Sequence, residues 1–236
     1  MTNKSTTAEI RERFDNDVER FSNLDTGQLS TIDATLSLEL ITEAAKRINP
    51  DAVNLLDIGC GAGNYSLMML SKIRNLNCTL VDLSKPMLDK AFERVSAETT
   101  NSVTVIQQDI REAELAENHF DIILAGAVLH HLRDDADWEK TFAKIYSLLK
   151  PGGCFMISDL ITQDTDVLND YIWEKYGEYL EGFGGADYPT KVLTYVDKED
   201  SPRSLNYQLD LMKKVGFTSV EILHKHICFA AYGGIK

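Results

Sequence analysis

The stretch Val53-Asn54-Leu55-Leu56-Asp57-Ile58-Gly59-Cys60-Gly61-Ala62-Gly63-Asn64-Tyr65 decides the fold of this 236-residue chain. It opens with mostly apolar residues and no Gly or Pro, a pattern that predicts a buried strand. Three glycines at alternate positions follow, and then the apolar run 67–70, which has helical character. A glycine-rich turn between a strand and a helix lets a ligand lie against bare backbone and directs helix N–H groups at it. The stretch therefore predicts a ligand-binding loop.

Two acidic residues narrow the class of ligand. The glycines follow the pattern G-x-G-x-G, and Asn64 stands where a dinucleotide fingerprint would have its last glycine. Asp57, just before the glycines, would repel a pyrophosphate and favour a ligand with an ammonium or sulfonium group, such as S-adenosylmethionine. Asp82 ends the next predicted strand, at the distance where a ribose-binding carboxylate belongs in a nucleotide-binding α/β fold.

These motifs resemble those of the class I S-adenosylmethionine-dependent methyltransferases, of the type that acts on small molecules. The resemblance covers roughly residues 35–160 by motif and the remainder by the order of elements. The matching segments are Leu56 to Gly63, Val81 to Ser84, Gln108 to Ile110, Phe120 to Ile123, Val128 to Leu132 and Leu149 to Gly153. The family implies S-adenosyl-L-methionine as cofactor and methyl transfer as the activity.

A single α/β domain over residues 1–236 follows from the alternation of strands and helices. We expect a Rossmann-like, doubly wound sheet of seven strands, mostly parallel, with a terminal antiparallel hairpin over 217–223 and 227–232. N-terminal helices occupy 8–48, as helices over 8–22 and 33–48 joined by a polar loop over 23–31. A helical cover insertion occupies 159–215, with helices over 167–180 and 204–215 and a flexible break at 181–185.

The resemblance implies a cofactor site at the ends of the first four strands. Asp109 and Ile110 match the family's adenine contacts, although Asp109 also suits a turn cap. Gly126 and Ala127 are small enough for the backbone to approach the methionine end. The implied cofactor-binding residues are Asp57, Gly59, Gly61, Gly63, Asp82, Leu83, Asp109, Ile110, Ala125 and Gly126.

Catalysis of methyl transfer needs mainly orientation and exclusion of water, with a general base only where the nucleophile carries a proton. His130 and His131 are the base candidates by position; the alternative is that they hold their loop. His119, His224 and His226 are predicted on the surface. A substrate pocket lined by aromatic residues is expected, unless these residues only pack the cover: Phe14, Phe21, Tyr171, Tyr176 and Tyr195.

Composition excludes several classes of partner. The formal net charge of −13 argues against binding nucleic acid, which needs a basic face. No apolar run is long enough for a membrane span, and the polar N-terminus lacks a signal core, so we expect a cytoplasmic protein. The four cysteines form no C-x-x-C pair, and we expect reduced, buried thiols and no metal site. The expected partner is a small-molecule substrate, and the protein is a monomer or a homodimer.

A second resemblance leaves the reaction open. The segments 212–217 and 229–232 are similar to the carboxy-S-adenosylmethionine synthases, which modify the cofactor itself with prephenate and need an arginine for the added carboxylate. The helix before Gly216 carries no arginine, and Arg203 is not in register. A protein that binds S-adenosylmethionine without catalysis is the third hypothesis.

Overall fold

A seven-stranded sheet forms the centre of the computed structural model, which describes residues 4–23 and 29–236. Its strands run in the spatial order β3-β2-β1-β4-β5-β7-β6. The first five strands pair in parallel and β7 pairs antiparallel with both β5 and β6, which confirms the predicted sheet with its terminal hairpin. The strands are β1 (Asn54–Ile58), β2 (Asn77–Asp82), β3 (Val103–Gln107), β4 (Phe120–Gly126), β5 (Leu149–Leu160), β6 (Ser219–His226) and β7 (Phe229–Ile235).

Helices cover both faces of the sheet. Within the described residues they are α1 (Thr7–Asp15), α2 (Val18–Ser22), α3 (Ala34–Ile48), α4 (Asn64–Lys72), α5 (Lys85–Glu98), α6 (Asp135–Leu148), α7 (Asp166–Gly184), α8 (Tyr188–Glu199) and α9 (Leu205–Val215). Among these residues, no helix combines the length and apolar character that a membrane span requires.

Three predictions about helices need correction. The helix expected over 8–22 is two helices, because α1 ends at Asp15 and α2 begins at Val18. The break expected at 181–185 does not interrupt α7, which runs through Gly182 and ends only where Gly185 adopts φ 82°. Helix α8 was not predicted at all. The loop expected over 23–31 includes residues 24–28, which lie outside the described residues.

The sheet buries a core on each face because successive strand residues point to opposite sides. Leu56 joins the cluster beneath α6 and α9, whereas its neighbour Leu55 joins the cluster beneath α3, α4 and α5. A third, smaller cluster lies under the cover and includes Tyr176, Leu180 and Phe229. The cover therefore has apolar anchors of its own. All four cysteines are free and buried, as expected.

Candidate active site

A cavity of about 1210 Å³ lies along the carboxyl ends of β1, β2 and β4. Ligands of open α/β sheets bind at this edge, in the crevice beyond the strand ends. Residues of α1, α2 and α8 form the opposite wall of the cavity. Its volume exceeds the range of about 300–1,000 Å³ that is usual for one small ligand. The space therefore suffices for a cofactor together with a second small molecule.

The glycine loop after β1 forms the floor of the cavity. Gly59 and Gly61 have φ values of 63° and 50°, a backbone conformation that residues other than glycine rarely adopt. A Cβ at Gly59 would lie 2.4 Å from the Val128 side chain, whereas a Cβ at Gly61 would meet nothing within 4 Å. The loop is therefore closed on its Val128 side, and its backbone at Gly61 faces open space.

The carboxylate of Asp82 lies next to the glycine loop and also lines the cavity. Its Oδ2 accepts a hydrogen bond from the Gly61 N–H at 2.8 Å, and its Oδ1 accepts one from the Ser84 N–H at 2.8 Å. Burial raises the pKa of Asp82, and these N–H donors oppose that rise only in part. Each oxygen keeps acceptor capacity for a hydroxyl donor, which is what a ribose would supply.

Asp57 does not reach the cavity, contrary to the expectation that it faces a cationic ligand. It is 1% exposed, and its Oδ2 accepts hydrogen bonds from the Ser66 N–H at 3.1 Å and the Ser66 hydroxyl at 2.7 Å. Burial raises the pKa of Asp57 to about 7, against the effect of the Ser66 donors. Asp57 therefore ties β1 to α4 behind the loop. Gly63 and Ala125 also lie outside the cavity lining.

Asp109 and Ile110 line the cavity beyond β3, where the adenine contacts were predicted. Arg111 donates to both carboxylate oxygens of Asp109, with an ion-pair distance of 2.6 Å. Although burial opposes it, this pairing lowers the pKa of Asp109. The Arg111 N–H also donates to Asp109 at 2.9 Å, so the alternative role as a turn cap is present as well.

The chain matches a family model described as a methyltransferase domain over residues 55–153. It is 26% identical over 202 residues to the carboxy-S-adenosyl-L-methionine synthase of Campylobacter lari, covering 85% of this chain and 84% of that protein. The corresponding synthase of Campylobacter concisus is 28% identical over 211 residues, with 85% of each chain covered.

Solved structures show the same fold. The Burkholderia thailandensis 1,6-didemethyltoxoflavin-N1-methyltransferase, with S-adenosylhomocysteine bound, superposes with a TM-score of 0.65 at 17% identity, over 97% of this chain and 88% of that one. A Haemonchus contortus phosphoethanolamine N-methyltransferase 2 in complex with S-adenosyl-L-methionine gives a TM-score of 0.56 at 25% identity, over 89% and 45%. Residues 55–153 therefore resemble a methyltransferase domain, and the chain shares the fold of proteins solved with S-adenosylmethionine or S-adenosylhomocysteine bound.

The cavity wall beside the glycine loop is shaped by Gly126 at the end of β4. A Cβ there would lie 2.4 Å from the Tyr65 ring, so only glycine fits between β4 and this ring. Gly126 and Ala127 both line the cavity, and Ala127 has the unusual φ of 52° for a residue other than glycine. The small side chains expected at this point leave the backbone accessible.

The opposite end of the cavity is aromatic and lies under the cover. The rings of Phe14 and Phe21 are 5.4 Å apart, and the Arg13 guanidinium lies 4.1 Å from the Phe14 ring and 4.2 Å from the Tyr195 ring. Tyr176 also lines the cavity, and its hydroxyl donates to the Ser30 carbonyl at 2.8 Å. Four of the five predicted pocket aromatics therefore meet here.

Tyr171 is the exception, because it is 51% exposed and lies outside the cavity lining. Tyr171 lies five positions before Tyr176 on α7, and five positions correspond to a rotation of about 140° around an α-helix. The two side chains consequently leave α7 in different directions.

His130 and His131 both line the cavity in a short 3₁₀ turn after β4. His130 Nδ1 is hydrogen-bonded to Asp159 Oδ1, and Asp159 Oδ2 accepts the N–H groups of Leu129 at 2.8 Å and His130 at 3.2 Å. Burial disfavours the charged imidazole, but Asp159 and Asp200 outweigh it and raise the pKa of His130 to about 9. Burial and the neighbouring His130 lower the pKa of His131.

Sequence reasoning missed Asp159 and Asp200, which complete this group. Asp159 stands near the carboxyl end of β5, the same edge as Asp82, and its position was a usable signal. Asp200 follows α8, which was not predicted, and no pattern in the sequence identified it.

Proposed function

We propose that this enzyme transfers the methyl group of S-adenosylmethionine to a small-molecule acceptor held under the cover. The observation that carries the proposal is the continuous cavity, which runs from the glycine loop to an aromatic, histidine-containing end roofed by α1, α2 and α8. A roofed cavity suits an acceptor that fits inside it.

The residues fit the cofactor at one end of that cavity. We propose that Asp82 and Leu83 hold the ribose, that Asp109 and Ile110 hold the adenine, and that Gly61 and Gly126 present backbone to the methionine part. When bound, S-adenosylmethionine supplies a methyl group activated by its sulfonium charge. The chain then contributes orientation of the acceptor and exclusion of water, which are the main needs of this displacement.

The acceptor end favours a planar or apolar molecule. Phe14, Phe21 and Tyr195 present ring surfaces, and Tyr176 closes the side next to the third core cluster. Guanidinium groups of this chain already lie against these rings, Arg13 at Phe14 and Tyr195 and Arg20 at Phe21, so the walls favour an apolar acceptor over a cationic one.

The second candidate function is modification of the cofactor itself. Sequence similarity to the Campylobacter synthases, which extends over most of their length, favours it. The arginines argue against it. Arg203 pairs with Asp135 at 3.0 Å and does not line the cavity. Four arginines line the cavity, and each is already engaged. Arg13 pairs with Glu199 at 3.0 Å, Arg20 with Asp17 at 2.6 Å and Arg111 with Asp109 at 2.6 Å. Arg133 donates to the Ser5 carbonyl at 2.7 Å. Holding a second carboxylate would require breaking such a pair.

Mass spectrometry of reaction mixtures separates the candidates. The purified chain is incubated with S-adenosylmethionine and a panel of small metabolites, and in parallel with S-adenosylmethionine and prephenate. We expect S-adenosylhomocysteine together with a product 14 mass units heavier than its acceptor, about the mass of one added CH₂. Carboxylated cofactor in the prephenate sample, with no methylated product, would identify a synthase. Cofactor binding without any product would identify a binding protein.

A further inference from the structure

We propose that His130, His131 and Asp200 together bind a divalent transition-metal ion at the acceptor end of the cavity. The inference rests on the proposed function only in that the ion would contact the acceptor. It departs from the sequence analysis, which expected no metal site because the four cysteines form no C-x-x-C pair.

The three donor atoms already converge. They lie within 4.8 Å of one another, with Asp200 Oδ1 3.2 Å from His131 Nδ1 and 3.7 Å from His130 Nε2. Zinc binds imidazole nitrogen and carboxylate oxygen at about 2.0–2.2 Å, which places neighbouring ligands of one ion roughly 3–3.5 Å apart. The observed separations are close to those values, so small shifts bring the three atoms to one centre.

Unsatisfied polar atoms are concentrated at this point. Among the described residues, Asp200 Oδ1 and both ring nitrogens of His131 are buried and form no hydrogen bond, since the 3.2 Å contact between Oδ1 and Nδ1 meets only the ion-pair distance. The Asp200 side chain is only 3% exposed. Buried polar atoms without partners are costly, and an ion is one of the recognised explanations for them. A cation would satisfy Asp200 Oδ1 and His131 Nδ1 at once.

Asp159 supplies the outer contact that a histidine ligand needs. It binds His130 at Nδ1, which leaves His130 Nε2 directed at Asp200. Metal-binding histidines nearly always pair their second nitrogen with a carboxylate or carbonyl, because that contact fixes the tautomer and the ring orientation. Asp159 is itself held by two backbone N–H groups.

A second group of similar composition lacks these features. Asp33 Oδ2 is hydrogen-bonded to His224 Nε2 at 2.9 Å and to His226 Nδ1 at 2.7 Å, on the outer surface of the molecule. Its carboxylate is therefore already paired with both rings. This Asp33 group provides a matched control for the buried one.

The composition of the buried site indicates both the metal and the class of acceptor. Two imidazoles and one carboxylate suit zinc or ferrous iron and leave further coordination positions open. The three residues line the cavity, so an acceptor hydroxyl or enol oxygen there could bind the ion, which would lower the pKa of that oxygen and let its proton pass to solvent. The oxygen lone pair then forms the bond to the methyl carbon while the carbon–sulfur bond breaks, and its electrons remain on sulfur in S-adenosylhomocysteine.

Titration with Co²⁺ and Zn²⁺ tests the site directly. The full chain is stripped with a chelator, and Co²⁺ binding is followed by visible absorption, with Zn²⁺ as competitor. We expect one ion per chain, and at least a tenfold loss of affinity in His131→Gln and in Asp200→Asn. Asp159→Asn should lose about 10–100-fold, the usual effect of removing an outer contact. His226→Gln should bind as the wild type does.

Binding of S-adenosylhomocysteine, measured on the same samples, verifies folding and separates the two proposals. Wild type that binds S-adenosylhomocysteine but no metal overturns the metal site and leaves the proposed function intact. Metal binding that is lost only in His226→Gln also overturns the proposed site at His130, His131 and Asp200, because the ion then binds to the Asp33 group. If neither S-adenosylhomocysteine nor S-adenosylmethionine binds wild type, the proposed function fails, whatever the metal result.

Discussion

At the scale of single residues, Asp82 connects the loop to its ligand. One carboxylate oxygen accepts a hydrogen bond from the Gly61 N–H and the other accepts one from the Ser84 N–H, while the side chain lines the cavity. A carboxylate so placed acts on the ligand and on the loop that surrounds it. Its substitution therefore tests the assignment of the ribose.

Asp82→Asn should weaken S-adenosylhomocysteine binding by about 1–3 kcal/mol, the scale of losing a charge-assisted hydrogen bond. Asparagine keeps the size of the side chain and one acceptor oxygen, so the fold should persist. Calorimetric titration measures the affinity, and circular dichroism checks the fold. The control is Asp121→Asn, because Asp121 lies at the start of β4, at the opposite end of the strands from the glycine loop. Wild-type affinity in folded Asp82→Asn would refute the ribose assignment.

Asp57 gives a second residue-level prediction, about stability and pH. Burial raises its pKa in the folded state to about 7, above the ordinary value of 3.8. Between those two pH values the folded state holds a proton that the unfolded state has released, so this residue lowers stability as pH rises. The effect is complete above pH 7 and absent below the unfolded pKa.

Asp57→Asn should remove that contribution. Relative to wild type, the variant should gain unfolding free energy as pH rises from about 4 to 7, with a limiting slope of about 1.4 kcal/mol per pH unit. Urea denaturation of both proteins at several pH values measures the difference. A constant difference across this range would show that Asp57 is ionised in the fold.

At the scale of elements, the cover consists of two parts that hold each other. Ser5 donates its N–H to the Lys198 carbonyl at 3.0 Å, and Arg13 of α1 pairs with Glu199 at the end of α8. Asn64 Nδ2 donates to the Phe21 carbonyl at 2.9 Å, which connects α2 to the glycine loop. Lys4 also donates to the Asp197 and Asp200 carbonyls, so opening the cavity requires these contacts to break together.

Hydrogen exchange should show this coupling. The cover segments 4–23 and 159–201 should exchange faster than the central strands and gain protection with S-adenosylhomocysteine, since a mobile cover admits substrate and then excludes water. Equal protection of cover and strands without ligand would show fixed packing.

Arg13→Gln should raise exchange in α1 and α8 by about tenfold, the effect of losing roughly 1.4 kcal/mol from a charged hydrogen bond. Arg47→Gln removes a surface pair with Glu43 at 2.7 Å and is the matched control. If the two variants exchange alike, Arg13 does not hold the cover.

The elements also show where sequence reasoning succeeds. β1, β2 and β4 are mostly buried apolar runs, glycines mark the ends of β1 and β4, and Asp82 marks the end of β2, so these ends were predictable from pattern alone. Helix α7 passes through Gly182 because Tyr176 and Leu180 are buried against the sheet, and this packing outweighs about 1 kcal/mol of glycine cost. Helix α8 has an apolar stripe at helical spacing, Tyr188, Val192 and Val196, which packs against the third core cluster, but this signal was not used to predict it. Asp200 follows this helix and was missed with it.

At the scale of the whole molecule, the cavity joins parts that the chain keeps far apart. The sheet supplies the loop and the acids, while the N-terminal helices and the segment after β5 supply the roof. A ligand in the cavity contacts all of them and binds only the folded state. S-adenosylhomocysteine at 100 times its dissociation constant should therefore stabilise the molecule by about 2.7 kcal/mol.

Calorimetric titration of the wild-type chain with S-adenosylhomocysteine, S-adenosylmethionine and NAD is the most direct test of the central claim, that this cavity is an S-adenosylmethionine site. We expect the first two to bind and NAD not to bind, because Asn64 stands where the dinucleotide pattern requires its last glycine. Tight binding of NAD, with no binding of the other two, would contradict it.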